Sequence, residues 1–176
     1  AFSGHFDVRK GANILFELVQ KISEDYGNVK LNIFGNISKS GESVMADFPS
    51  VDAINFVGYL PRKKMLEQLL LSDIYVFPSY MEGCAKSVIE AMALGLPVIS
   101  SNASGAPITH RDDGLIIDDV NDIDKWIEAI QELRSSDTRA ALGKRARKNV
   151  NIYCSPHSYN KNLMAVYKEI YQYNQF

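Results

Sequence analysis

Short apolar, β-branched runs alternate along the chain with longer stretches whose apolar residues return every three or four positions. The short runs predict strands over Phe2–Phe6, Val29–Phe34, Ile54–Val57, Ile74–Phe77, Val98–Ser100 and Leu115–Ile117. Between the first two, Ile14, Leu15, Leu18, Val19 and Ile22 keep helical spacing and predict a helix over Ala12–Tyr26. Arg62–Leu71 and Lys86–Leu94 read as helices, the second stopped by Gly95 with Pro97 just beyond. Ile123–Arg134, Thr138–Val150 and His157–Tyr171 make the last third helical. The 38–48 segment is ambiguous, a helix or an irregular stretch behind the Ser-Lys-Ser-Gly loop. Strands alternating with helices imply βαβ units, hence one parallel sheet covered by helices.

Composition narrows this picture without changing it. At 176 residues the chain reads as one domain, large enough to bury a core without a disulfide or metal staple. With 46% hydrophobic and 23% charged residues it is an ordinary globular sequence. A net charge of −2 argues against a nucleic-acid partner, which favours a strongly basic surface. Two cysteines, Cys84 and Cys154, far apart in sequence, point to a reducing, cytoplasmic compartment. No apolar run is long enough to span a membrane. The chain opens on Ala1 and runs straight into a candidate strand, which reads as a piece of a longer protein.

In parallel sheets ligands bind outside the carboxyl ends of the strands, where strand order reverses. The loops to search are therefore 6–11, 35–43, 58–62, 78–85 and 100–107. The richest is Pro78-Ser79-Tyr80-Met81-Glu82-Gly83-Cys84-Ala85, followed by the helix that opens at Lys86-Ser87. A helix N-terminus leaves N–H groups unpaired and carries partial positive charge, so it suits a phosphate. Gly83 gives the backbone room to approach a ligand, and Glu82 sits beside that anion site. Glu90, eight residues on, can accept both hydrogen bonds of a ribose diol. The pattern suits a nucleotide diphosphate with a small hydroxylated group near Glu82.

Phe77-Pro78-Ser79, Glu82-Gly83, Glu90-Ala91-Met92-Ala93, Gly95 and Pro97-Val98-Ile99 together resemble the donor-binding motif of glycosyltransferase family 4. These are retaining enzymes of the two-domain GT-B architecture. The resemblance extends over nearly the whole chain. Gly4 through Lys10-Gly11 is similar to the first strand of the family's C-terminal domain and its Lys-Gly loop. Phe56-Val57-Gly58 is similar to the strand before the base-binding loop, and Gly114 and the helical tail to Tyr167 fall in register. The implied fold is a Rossmann-like α/β domain, a parallel sheet flanked by helices forming the C-terminal half of a GT-B enzyme, with a helical tail.

By that resemblance Lys10 would contact the donor diphosphate and Gly11 would start the helix behind it. Gly58 and Tyr59 would hold the base through their backbone. Glu82 would bind hydroxyls of the donor sugar, Gly83, Cys84 and Ala85 would line it, and Lys86 and Ser87 would offer N–H groups to the phosphates. Glu90 would take the ribose. No metal or other cofactor is implied as obligatory. The family's usual Arg after the first glycine is His5 here, which would take that place in donor binding as a partly charged group, with Arg9 compensating or the phosphate site weaker. The usual Gly-Phe-Gly is Gly83-Cys84-Ala85, and Ile108 stands where an acidic residue is common.

The implied activity is transfer of a hexose or N-acetylhexosamine from a nucleotide sugar, uridine diphosphate favoured, to a glycan or lipid-linked glycan acceptor. The implied setting is bacterial surface polysaccharide assembly at the cytoplasmic membrane face. The acceptor would be held mostly by an N-terminal domain, so this chain alone would bind nucleotide and transfer little. Another reading stays open, a weak or inactive relative acting as a nucleotide-sugar-binding subunit. A nicotinamide-binding domain is disfavoured, because no G-x-G-x-x-G follows any candidate strand. An epimerase of the same architecture fits the two glutamates less well.

Other clusters have simpler readings. Asp112, Asp113, Asp118, Asp119, Asp122 and Asp124 suit turns and helix caps better than a metal. Arg139, Lys144, Arg145, Arg147 and Lys148 suit a solvated helix face, or failing that an anionic membrane surface or pyrophosphate-linked acceptor. Tyr167 and Tyr171, one helical turn apart, suit a partner surface such as the N-terminal domain.

Overall fold

The computed structural model describes residues 1–48 and 52–173. Six strands, β1 (Phe2–Ser3), β2 (Leu31–Phe34), β3 (Ile54–Gly58), β4 (Tyr75–Phe77), β5 (Val98–Ser101) and β6 (Leu115–Ile117), pair in parallel. Seven helices accompany them: α1 (Ala12–Tyr26), α2 (Lys39–Asp47), α3 (Arg62–Leu69), α4 (Lys86–Leu94), α5 (Ile123–Glu132), α6 (Ser136–Tyr153) and α7 (Pro156–Tyr173). The alternating α/β architecture expected from the pattern is the one observed.

The strands form two three-stranded halves, β1-β2-β3 and β4-β5-β6. The Val76 N–H donates to the Ala1 carbonyl at 2.9 Å and joins them, giving the spatial order β3-β2-β1-β4-β5-β6. Strand order reverses between β1 and β4, so the crevice for a ligand opens beyond Ser3 and Phe77. Both halves are buried along this seam. Phe2 and Phe77 stack at 5.7 Å, and Phe6 meets Phe2, Phe16 and Phe56 through centroid distances of 5.3–6.3 Å. The buried Tyr75 hydroxyl lies 2.9 Å from Ser3 Oγ and accepts from the Ser3 N–H, and burial pushes its pKa up to about 12.

The first strand is shorter than its apolar run. Phe6 is still buried and bridges Ile37, but Gly4, at φ 141°, turns the chain out of the ladder. The apolar run records burial, and the glycine decides where pairing stops. Helix α2 settles the ambiguous segment: the Ser38 side chain accepts from the Gly41 N–H and starts it. Helix α3 ends at Leu69, two residues short of its pattern, and α6 and α7 extend beyond theirs. The aspartates do local work, Asp122 capping α5 through the Lys125 N–H and Asp113 accepting from the Thr109 N–H at 2.7 Å. In the basic run, Arg139 pairs with Asp73 and Arg145 with Asp112. No helix among the described residues is long and apolar enough to cross a membrane.

Gly11 shows how tightly the two sides of the crevice approach. It takes φ 78° at the start of α1, and a Cβ there would lie 2.1 Å from the Pro78 carbonyl oxygen. Gly11→Ala should therefore lower stability by about 3 kcal/mol, strain in the left-handed region adding to the clash. Chemical denaturation checks this; a loss no larger than at the open Gly27, where an added Cβ meets nothing within 4 Å, would contradict it.

Candidate functional site

The crevice is a cleft of about 420 Å³ bordered by Ser3, Gly4, Lys10, Met65, Glu82, Cys84, Ala85, Lys86, Ser87 and Glu90. Two loops build most of it. In the first, a 3-10 turn at Val8–Lys10 is closed by Asp7, whose carboxylate accepts the Lys10 N–H at 2.8 Å. That cap fixes the direction in which Arg9 and Lys10 leave the backbone. In the second, the Glu82 N–H donates to the Ala103 carbonyl and the Ala85 N–H to the Ser104 carbonyl, at 2.9 and 3.0 Å. The two loops are tied together by the Tyr80 N–H, which donates to the Arg9 carbonyl at 2.8 Å.

Charge is organised around two carboxylates. Glu82 Oε1 receives Arg9 at 2.8 Å and Lys10 Nζ at 3.0 Å. Partial burial would raise the Glu82 pKa, but the hydrogen bond and charge of Lys10, then those of Arg9, outweigh it and hold the carboxyl below its usual range. Lys10 Nζ also lies 5.2 Å from the Phe77 ring centroid, a cation–π distance that draws it toward the seam. Glu90 Oε1 receives Arg62 Nε at 2.8 Å.

Helix α4 points its N-terminus at the same cleft. Ala85 precedes it with no side-chain cap, and its carbonyl accepts from the Val88 and Ile89 N–H groups at 3.1 and 3.3 Å. Lys86 and Ser87 thus carry the first N–H groups of the helix, at the cleft wall, with no acidic residue in that turn to compete. Two cations and a bare helix terminus make a site for an anion of more than one charge. The carboxylates beside it can accept hydroxyl hydrogen bonds.

Of the residues singled out in the sequence, Lys10, Glu82, Cys84, Ala85, Lys86, Ser87 and Glu90 border this cleft. Arg9 reaches it through Glu82. His5 is exposed and does not border it. Gly11 packs behind it against Pro78, and Gly83 stands in open space with the Gly105 backbone beside it. Gly58, at φ 79°, and the exposed Tyr59 lie outside its wall. Sequence reasoning does not single out Ser3, Met65 or Arg62. Ser3 is a buried polar residue at a strand end, a signal the pattern does contain, whereas Arg62 meets Glu90 only through the tertiary fold.

Residues 1–149 match the family model for glycosyl transferases group 1. The chain belongs to this family. Among curated relatives, spore coat protein SA of Bacillus subtilis is 28% identical over 181 residues, an alignment covering 96% of this chain and 48% of that protein. The amylovoran biosynthesis glycosyltransferase AmsK of Erwinia amylovora is 31% identical over 116 residues, covering 60% of this chain and 28% of that protein. The chain thus spans about half or less of these relatives' length.

Solved structures give the same fold. The C-terminal domain of a glycosyl transferase group 1 protein, LpcC from Francisella tularensis, superimposes with a TM-score of 0.73 at 16% identity, over 88% of this chain and 86% of that one. Anabaena Alr3699/HepE, solved with UDP and glucose, superimposes with a TM-score of 0.76 at 16% identity, over 95% of this chain and 48% of that one. The fold is the C-terminal half of a GT-B glycosyltransferase.

The depressed Glu82 pKa has a sign that can be tested in this group 1 domain. Its contribution to stability is present above the ordinary glutamate range and is lost as pH falls through the lowered folded-state value. Lys10→Met should raise the Glu82 pKa, read by NMR of its carboxyl carbon, and shrink the stability lost on acidification. An unchanged Glu82 titration in that variant would contradict the ion pairing.

Proposed function

We propose that this chain is the donor-binding part of a retaining family 4 glycosyltransferase, acting on a nucleotide diphosphate sugar. The observation that carries the reading is the meeting of Lys10, Glu82, Glu90 and the uncapped start of α4 in one cleft at the point where strand order reverses. The diphosphate would lie against Lys10 and the Lys86 and Ser87 N–H groups, with Arg9 as the second cation in place of His5. Glu90 would accept from the ribose, and Glu82 from the donor sugar. Gly58 ends β3 and Tyr59 follows it, just ahead of the Arg62 that bonds Glu90, so a base held by their backbone would sit at the ribose end of the donor.

Chemically, departure of the nucleoside diphosphate builds negative charge on the oxygen that leaves the sugar. A cation and fixed N–H groups aimed at that charge stabilise the transition state more than the ground state. Lys10 and the α4 terminus would supply this, so the reading needs no obligatory metal. Retention of anomeric configuration rests on the family 4 resemblance.

A uridine diphosphate donor is favoured by its presence in a solved relative of like fold. A hexose or N-acetylhexosamine as the transferred group, and a glycan or lipid-linked glycan as acceptor, follow from the resemblance. Bacterial surface polysaccharide assembly is supported by the amylovoran biosynthesis relative. That setting would place the protein in the cytoplasm, working beside the anionic inner face of the membrane. The acceptor would be held largely by an N-terminal domain.

Calorimetric titration with uridine, guanosine and adenosine diphosphates tests the reading. One nucleotide should bind selectively, unaffected by a chelator, and Lys10→Ala and Glu90→Ala should each weaken it about tenfold or more, the size of a charged hydrogen bond. Binding that ignores both substitutions would place the nucleotide elsewhere and contradict the assignment.

A further inference from the structure

The cleft holds its own anion. Arg9 and Lys10, the two cations of the first loop, both bond to one oxygen of one carboxylate, Glu82 Oε1, at 2.8 and 3.0 Å, and Ser79 Oγ lies 3.5 Å from the same oxygen. Lys10 and Glu82 are each only 16% exposed at the side chain, whereas Arg9 is 53% exposed. The group that would hold a diphosphate is therefore already engaged, by the group that would hold the sugar.

We propose that Glu82 is a built-in counter-ion: it occupies Lys10 and Arg9 until a nucleoside diphosphate takes both cations over, and the released carboxylate then accepts the hydroxyls of the donor sugar. This rests on the donor-site reading above and deepens it. The argument is one of shared donors and like charge. A diphosphate binding to Lys10 and Arg9 competes with the carboxylate for the same N–H groups, and two anions a few ångströms apart in a partly buried cleft repel. Glu82 can move because only its side chain takes part; its main chain stays pinned to Ala103. Once swung away it is an unpaired, partly buried carboxylate, which must find new donors. Sugar hydroxyls on the donor supply them.

The exchange gives the site a preference that its cations alone would not. A bare nucleoside diphosphate takes the two cations but leaves the Glu82 carboxylate without new donors. A nucleotide sugar breaks the same contacts and restores hydrogen bonds to the carboxylate. Glu82 thus disfavours the bare diphosphate relative to the sugar nucleotide, and helps the spent diphosphate leave.

Titration of the protein and its Glu82→Gln and Lys10→Met variants with uridine diphosphate, guanosine diphosphate and inorganic pyrophosphate tests this. Glu82→Gln should bind the diphosphates about tenfold more tightly, because a neutral amide competes poorly for the cations, while Lys10→Met binds them more weakly. Unchanged or weaker binding by Glu82→Gln, with Lys10→Met still weakened, would overturn the counter-ion role and leave the donor site standing. Binding indifferent to Lys10→Met, or absent from both the protein and Glu82→Gln, would overturn the donor site and the counter-ion role together. NMR of the unsubstituted protein gives a reading free of any folding defect. Saturation with diphosphate should raise the proton affinity of the Glu82 carboxyl, and an unmoved titration would also overturn the exchange.

Discussion

Everything at the candidate site depends on the seam between β1 and β4. Two parallel three-stranded halves meet there through the Val76–Ala1 hydrogen bond, the Phe2–Phe77 stack and the Tyr75–Ser3 contact. Because the halves run outward in opposite spatial order, the connections leaving β1 and β4 go to opposite sides and leave a gap between them. Lys10 arrives from one side of the gap, and Glu82, α4 and Glu90 from the other. A seam with slipped register would bring none of them together. The burial of Tyr75, with its hydroxyl committed to Ser3, makes that register specific, since a shifted strand would strand a polar group in the core.

The loops then convert strand position into side-chain position. Asp7 caps the turn that presents Arg9 and Lys10, and Ala103 and Ser104 hold the segment from Glu82 to Ala85 by its main chain. Gly105, at φ 59°, allows this approach: a Cβ on it would lie 2.6 Å from the Gly83 carbonyl oxygen. The site is therefore built largely from backbone fastening, with its charged side chains left to pair across the cleft.

Much of this was legible in the sequence, and the failures have physical causes. The strands Tyr75–Phe77 and Val98–Ser101 are short runs buried on both faces, and Leu115–Ile117 is an apolar run buried on one face and half-buried on the other, which pattern alone identifies. Gly95 and Pro97 end α4 as expected. Phe6 misled because burial and strand pairing part company at Gly4. The Glu82-Gly83 and Glu90 motif located the cleft, since its members sit on one loop and one helix. The Arg62–Glu90 pair was invisible because its partners are 28 residues apart, on α3 and α4, and meet only once the chain is folded. His5 shows the converse: its place in the chain suggested a phosphate contact, but the side chain beside Gly4 is exposed and away from the cleft wall. Arg9, bonded to Glu82, is the cation that the fold delivers.

Hydrogen–deuterium exchange, with and without a saturating nucleoside diphosphate, tests the central claim most directly. The account predicts new protection at the first turn of α4, around Lys86 and Ser87, and in the Gly4–Gly11 loop, with little change in α5 to α7. Protection confined instead to a separate cleft lined by Pro107, Ile108, Thr109, Asn149 and Cys154, between that loop and the end of α6, would contradict it.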